Sequence, residues 1–173
     1  MPEVAPPPIH GGAVAAVVAL LDAQRLLSLA VNRPDGWPQA TTVGYVNEGL
    51  NLYVVVARTS QKLANIRADS RVSVVIRSEA RQGDAVGVSM AARAVEITDP
   101  VLVERLDQSV RERYPDLHVF GPGGDSVAVI HLRPEIISPV SVIAGRSHSQ
   151  TFSLQPADTT PPIVAAPRVI DLI

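Results

Sequence analysis

The sequence predicts a mainly β domain, six or seven antiparallel strands closed or nearly closed into a barrel, with a few short helices. Three observations carry this reading. Between residues 26 and 57 three short apolar runs follow one another, separated only by turn residues, and connections that short favour antiparallel neighbours. Further apolar runs, 71–78, 85–98, 127–133 and 136–144, lie downstream. Closure into a barrel removes the exposed edges that a sheet of this size would otherwise present.

Taken in order, residues 1–12 are rich in Pro and Gly (Pro6-Pro7-Pro8, Gly11-Gly12) and read as a flexible lead-in, and an Ala- and Leu-rich helix is expected at about 13–24. The first strand, 26–32, ends at the turn signal Arg33-Pro34-Asp35-Gly36. The second, 39–46, is closed by Asn47-Glu48-Gly49; the third, 50–57, holds the unbroken Val54-Val55-Val56. Ser60 is placed to cap a short helix reaching Ala68. Strands follow at 71–78 and 85–98. Asp99-Pro100 then opens a helix, Asp as cap and Pro in the first turn, with Val103, Leu106 and Val110 at helical spacing up to Tyr114. Its Glu104, Asp107, Glu112, Arg105, Arg111 and Arg113 read as a solvated face. Two strands, 127–133 and 136–144, are expected on either side of Pro134. The domain is drawn at 13–153, with 154–173 a Pro-rich tail.

A chain of 173 residues is one domain, able to bury roughly 70% of its unfolded surface. It has no cysteine, which excludes disulfides, thiolate metal sites and cysteine nucleophiles. The net charge of -2, without charge blocks, argues against nucleic acid or an anionic membrane as partner. Asp22 and Arg25 interrupt the apolar stretch 13–31, and no basic start precedes it, so the chain reads as cytoplasmic and soluble. No His or carboxylate pair has metal-ligand spacing, and no metal is assigned.

Chemistry concentrates at Arg58-Thr59-Ser60-Gln61-Lys62, where the third strand gives way to a helix. Among fourteen arginines, Lys62 is the single lysine. The free N–H groups and positive dipole end of a helix's first turn favour an anion, and two hydroxyls with two flanking cations add charge-assisted donors. A phosphate cradle is one reading; an N-cap beside two solvated cations is the other.

The surrounding order of segments resembles the pyridoxamine 5′-phosphate oxidase superfamily. The correspondence runs through strand 39–43, strand 52–57, Ser60-Gln61-Lys62 in place of the family's Ser-Arg-Lys, Arg71-Val72-Ser73-Val74-Val75, and the strand-to-helix passage from Arg93 to Pro100. Ser141 to His148 resembles the late strand and Gly/His turn of small stress-protein-like members. The resemblance implies an FMN-binding split β-barrel of six to seven strands, a homodimer with flavin in grooves between subunits. It also implies FMN phosphate on Ser60 and Lys62, with Arg58 and Thr59 adjacent, and the isoalloxazine along Ala40, Thr41, Thr42 and Val43. Ala40 and Tyr45 stand where the true oxidases carry basic residues, and no late Arg-x-His element is found, so vitamin processing is not expected.

The expected function is flavin-mediated redox of a small molecule. A reductase using the deazaflavin F420, or a non-enzymatic flavin- or haem-binding protein, are the alternatives, and haem would need His148 or His131 as axial ligand. His131 reads as a barrel-wall residue, and His10, His118 and His148 as loop residues. Gly121 to Asp125 lacks the Lys-Ser/Thr ending of a phosphate loop and reads as a connector. Trp37 follows a turn glycine and has two readings, a ring stacked near the flavin or the subunit seam, or an exposed turn aromatic.

Overall fold

The computed structural model describes residues 5–78, 85–115 and 125–154. Alternation of side chains decides the architecture. In β1 (Leu26–Asn32) and β4 (Arg71–Arg77) Leu27, Leu29, Val31, Val72, Val74 and Ile76 are buried while most of their neighbours face out, as a strand with one face on a core requires. Together with β2 (Pro38–Glu48), β3 (Asn51–Ala57), β5 (Ala85–Ile97) and β6 (Val127–Ile143) they form an antiparallel path β3-β2-β1-β4-β5-β6. Pairing of Leu52–Ala57 with Leu132–Val127 joins β3 to β6 and closes the six strands into a barrel. This is the split β-barrel that the sequence predicts.

Helices fill what the strands leave open. α1 (Gly11–Ala23) adds Val17 and Leu21 to the barrel core, and α2 (Gln61–Ala68) adds Leu63 and Ile66. α3 (Pro100–Arg113) lies outside the barrel, where Leu106 joins Val46, Tyr53, Val129 and Tyr114 in a second apolar cluster. Leu52–Val54 and Val127–Ile130 are therefore buried on both faces, which is why those runs are apolar without alternation. No helix among the described residues is long and apolar enough to cross a membrane.

Three features differ from the sequence reading. Pro134 does not divide two strands; β6 runs through it, and a register shift opposite Ala91/Ala92 accommodates Glu135 as an extra residue, a bulge that tolerates the missing N–H. His148 lies in a strand rather than a loop: β7 (Arg146–Ser149) pairs back on β6, with His148 opposite Ser141, through a two-residue turn in which Ala144 and Gly145 both have positive φ. The third concerns α3. Asp107 is buried and bonded to Arg111, and Arg105 reaches Glu48. Arg113 turns back to the carbonyls of Leu21, Asp22 and Gln24 at the end of α1 and to Asn47 Oδ1, supplying the acceptors left over at a helix C-terminus with donors.

At the start of the chain, Ile9 is buried and its N–H donates to the Ser153 carbonyl, while the Ser153 N–H donates to Pro7. Ser153 belongs to the short β8 (Phe152–Ser153), which pairs with β6. The tail beyond Leu154, His118 and Gly121–Gly124 lie outside the described residues.

Two buried polar arrangements generate predictions. The Tyr114 hydroxyl lies 2.7 Å from the Arg25 carbonyl and 2.5 Å from that of Tyr45, and accepts the Tyr45 N–H at 3.2 Å, tying α3 to the start of β1 and to β2. Tyr114→Phe is expected to destabilise by about 1–3 kcal/mol, since the buried Tyr45 carbonyl loses its hydroxyl partner while the Arg25 carbonyl keeps the Tyr45 N–H. Urea unfolding should give a lower midpoint at unchanged slope. The second arrangement is His131, stacked on Tyr53 at a centroid distance of 4.9 Å and sharing a 2.8 Å hydrogen bond with Asn51 Oδ1. Burial and then nearby Arg133 hold its pKa below the ordinary 6.5. The folded state thus prefers the neutral ring, and the unfolded state takes up a proton first as pH falls. Stability should therefore be fully present above about pH 6.5 and decline below it, and this limb should be missing from melting curves of His131→Asn.

Candidate functional site

The barrel is closed by β6, but not everywhere by β2 and β3. β2 pairs with β1 from Pro38 to Gly44, yet meets β3 only from Tyr45 to Glu48, opposite Val54 to Asn51. Beyond that point the two strands part. Tyr45 donates its N–H to the Arg25 carbonyl on the β1 side, so by the alternation of an antiparallel ladder the N–H and C=O of Ala40 and Thr42 point the other way, into the gap. Ala40 and Thr42 are exposed, and Thr41 and Val43 turn inward, half-buried. The Thr41 Oγ1 atom is buried and has no hydrogen-bond partner. The result is a strand edge with unspent backbone groups.

On the far side of the gap β3 turns into α2. The Ser60 N–H donates to the Ala57 carbonyl, and Ser60 Oγ caps the helix by accepting from the Leu63 N–H at 3.3 Å. Ala64 N–H goes to the Ser60 carbonyl. Gln61 and Lys62 N–H have no acceptor among the described residues, as the geometry of a helix start dictates, and no acidic side chain stands in that first turn. Lys62 is half-buried without a hydrogen-bond or ion-pair partner among the described residues, and burial lowers its pKa. Thr59 is exposed beside it.

The two sides are joined through Asn65, which is fully buried: its Nδ2 donates to Gln39 Oε1 at 3.1 Å, and its Oδ1 accepts from Gln61 Nε2 at 2.9 Å. Ala40–Val43 and Ser60–Lys62 are thus brought to the same mouth of the barrel. Between α2 and the β1–β2 turn lies a cavity of about 340 Å³ lined by Arg33, Pro34, Asp35, Gln61 and Asn65. Trp37, 72% exposed, ends that turn.

Arg58 is directed elsewhere. Its guanidinium donates to Glu96 Oε1 at 2.8 Å, and Arg67, in the last turn of α2, donates to Glu96 Oε2 at 2.8 and 3.1 Å. The two arginines, Arg67 foremost, hold the Glu96 carboxyl below its usual range. Neither Asn65 nor Glu96 stands out in the sequence. For Glu96 a signal existed: alternation along β5 buries Val88, Met90, Ala92 and Ala94, and the next position inward is Glu96, a charge where the pattern asks for an apolar residue.

A second cavity, of about 700 Å³, lies near the other mouth, between α1 and the β6–β7 hairpin. Ala13, Val17, Leu20 and Phe152 give it apolar walls, and Ser141 and His148 line it as well. His131, bonded to Asn51 and stacked on Tyr53, takes no part in either cavity. Tyr45 is a core residue whose hydroxyl donates to the Leu21 carbonyl at 2.7 Å.

No curated protein matches this chain at a significant level. Solved structures do. The chain is similar to a FAD-binding protein from Mesorhizobium loti, with TM-score 0.64 and 18% identity over 75% of this chain and 94% of that one. It is similar to the heme storage protein of Vibrio cholerae, with TM-score 0.60 and 17% identity over 70% and 89% of the two chains. General Stress Protein 26 of Bacillus anthracis gives TM-score 0.59 and 20% identity over 78% and 96%. At such identities these likenesses establish the fold. The family model described as pyridoxamine 5′-phosphate oxidase matches residues 13–141, about three quarters of the sequence, and the chain therefore belongs to the pyridoxamine 5′-phosphate oxidase family.

Proposed function

We propose that the protein is an FMN-binding redox protein, acting on a small molecule, with the flavin held in the gap between β2 and the start of α2. The observation that carries this is Lys62: a half-buried cation without a partner among the described residues, beside two N–H groups that have no acceptor among those residues, in a helix turn without acidic side chains. Desolvating an ammonium is costly unless an anion answers it. A phosphate monoester on Ser60, Lys62 and the Gln61 and Lys62 N–H groups does so, with Arg58 and Thr59 nearby. The edge groups of Ala40 and Thr42 and the unspent Thr41 hydroxyl supply donors and acceptors for a heteroaromatic ring along residues 40–43. Bound flavin would supply the electron transfer; the chain binds, orients and shields.

The same reading asks for a second chain. The outer face of β2, β1, β4 and β5 aligns Thr42, Ser28, Val75 and Ser89 in register, all exposed, with Leu26 and Val75 at 60% and 48%. This uncharged row of mostly small residues, flanked on β4 by the outward Arg77, lies beside the gap and suits a two-fold contact that would roof the flavin. An F420 site is less favoured, because the arginines nearest α2 are taken up by Glu96 and its more acidic tail would lack cations. A haem protein is the second reading, supported by His148 on an apolar cavity large enough for a ligand. The absorbance spectrum of the purified protein separates flavin, deazaflavin and Soret bands.

Two outcomes test the main reading. Lys62→Ala should weaken FMN about 10- to 100-fold, the equivalent of about 1.5–3 kcal/mol for a hydrogen bond to a charged group, while riboflavin binds variant and parent alike. An unchanged FMN constant would retire the phosphate site. Light scattering should give a homodimer, and a monomer binding FMN at full affinity would overturn the shared groove.

A further inference from the structure

We propose that Glu96 sets the charge of the phosphate end of the site: it holds Arg58 and Arg67 against the barrel mouth, leaves Lys62 as the cation that meets the anion, and so tunes the site to a single phosphate monoester. The inference rests on the FMN reading above. Between Arg58 and Arg67 the chain carries three cations, Arg58, Lys62 and Arg67. Both carboxylate oxygens of Glu96 are engaged, Oε1 by Arg58 and Oε2 by Arg67. Three cations against one carboxylate leave a surplus of two, and that matches a phosphate monoester near neutral pH, which carries about -1.5 to -2. The neighbouring charges cancel in pairs: Arg33 with Asp35 across the cavity, and Arg71 with Asp69 beyond the end of α2.

Position makes Glu96 the fixed member of this triad. It sits in β5, paired with Ile130 of β6, and its side chain is only 20% exposed, whereas those of Arg58 and Arg67 are 46% and 53% exposed. The arginines arrive from a turn and from the last turn of a short helix and settle on the carboxylate that the strand register supplies. Glu96 is thus a positioning residue, acting on the anion through the charge it removes and the guanidiniums it anchors.

The test uses the full chain with FMN and riboflavin as probes. Glu96→Gln adds one unit of positive charge and should tighten FMN roughly two- to fivefold at low salt, the order expected of one charge nearby in a high effective dielectric. Riboflavin should not change, and the gain should vanish at about 1 M salt, where screening is nearly complete. Arg67→Gln, an exposed helix-end substitution whose folding is not in question, should act in the opposite sense and loosen FMN about two- to fivefold, again sparing riboflavin. A merely structural staple would lower the melting temperature of both variants and leave the FMN-to-riboflavin ratio of the parent, and that result overturns the proposal. Weaker FMN binding by Glu96→Gln overturns it too. Should the parent itself bind FMN no better than riboflavin, the phosphate reading fails and takes this one with it; a parent that prefers FMN, with variants that do not alter the preference, removes Glu96 alone.

Discussion

The fold depends on where β3 finds its partners. β3 is bonded to β6 along almost its whole length, yet to β2 over only four residues. The first pairing closes the barrel and leaves the six strands with one continuous core; the second stops at Tyr45, so the cylinder opens where α2 enters. A strand edge in water needs protection. Over most of the barrel closure provides it, and at β2 it is withheld for residues 38–44. The same constraint that stabilises the domain therefore leaves backbone groups of β2 unpaired on the side facing α2.

Long β6 makes this arrangement possible. Its first third is buried on both faces, against the barrel core on one side and α3 on the other. Its remainder outruns β3, bends past Pro134 at a bulge, and carries β7 and β8. Polar ties then fix the parts that packing alone would leave loose. Tyr114 and Arg113 fasten α3 to α1 and β2, while Asn65 fastens α2 across the gap to Gln39. The Asn65 bonds differ from the first two because they lie at the candidate site itself, so the distance between strand edge and helix start is set by a buried hydrogen-bonded side chain.

Electrostatics at that mouth follow from geometry more than from composition. Cations are plentiful near α2, but the arginines are matched by carboxylates, and burial singles out the only lysine. A reading based on proximity in sequence would give Arg58 and Lys62 equal weight as phosphate ligands. In the folded chain their surroundings diverge, one on a carboxylate and one half-buried with no counter-charge among the described residues.

How much of this was legible beforehand depends on whether a feature is local. Strand periodicity, the Ser60 and Asp99 caps and the turn at Arg33–Gly36 are written in adjacent residues, so β1 to β5, α2, α3 and the barrel class follow from the sequence with little shift in boundaries. The order of segments around Ser60-Gln61-Lys62 carried the family. Other features needed the tertiary structure, because they join residues far apart in the chain. Pro134 reads as a breaker until β5 offers a bulge opposite it. The charges of α3 read as a wet face until Arg113 meets the end of α1. Asn65 reads as an ordinary helix residue until α2 packs it inward onto Gln39, and Glu96 as an odd charge in an alternating strand until it meets two arginines. Local propensity is set by neighbours along the backbone, whereas burial and charge pairing are set by neighbours in space, and only closure of the barrel decides who those are.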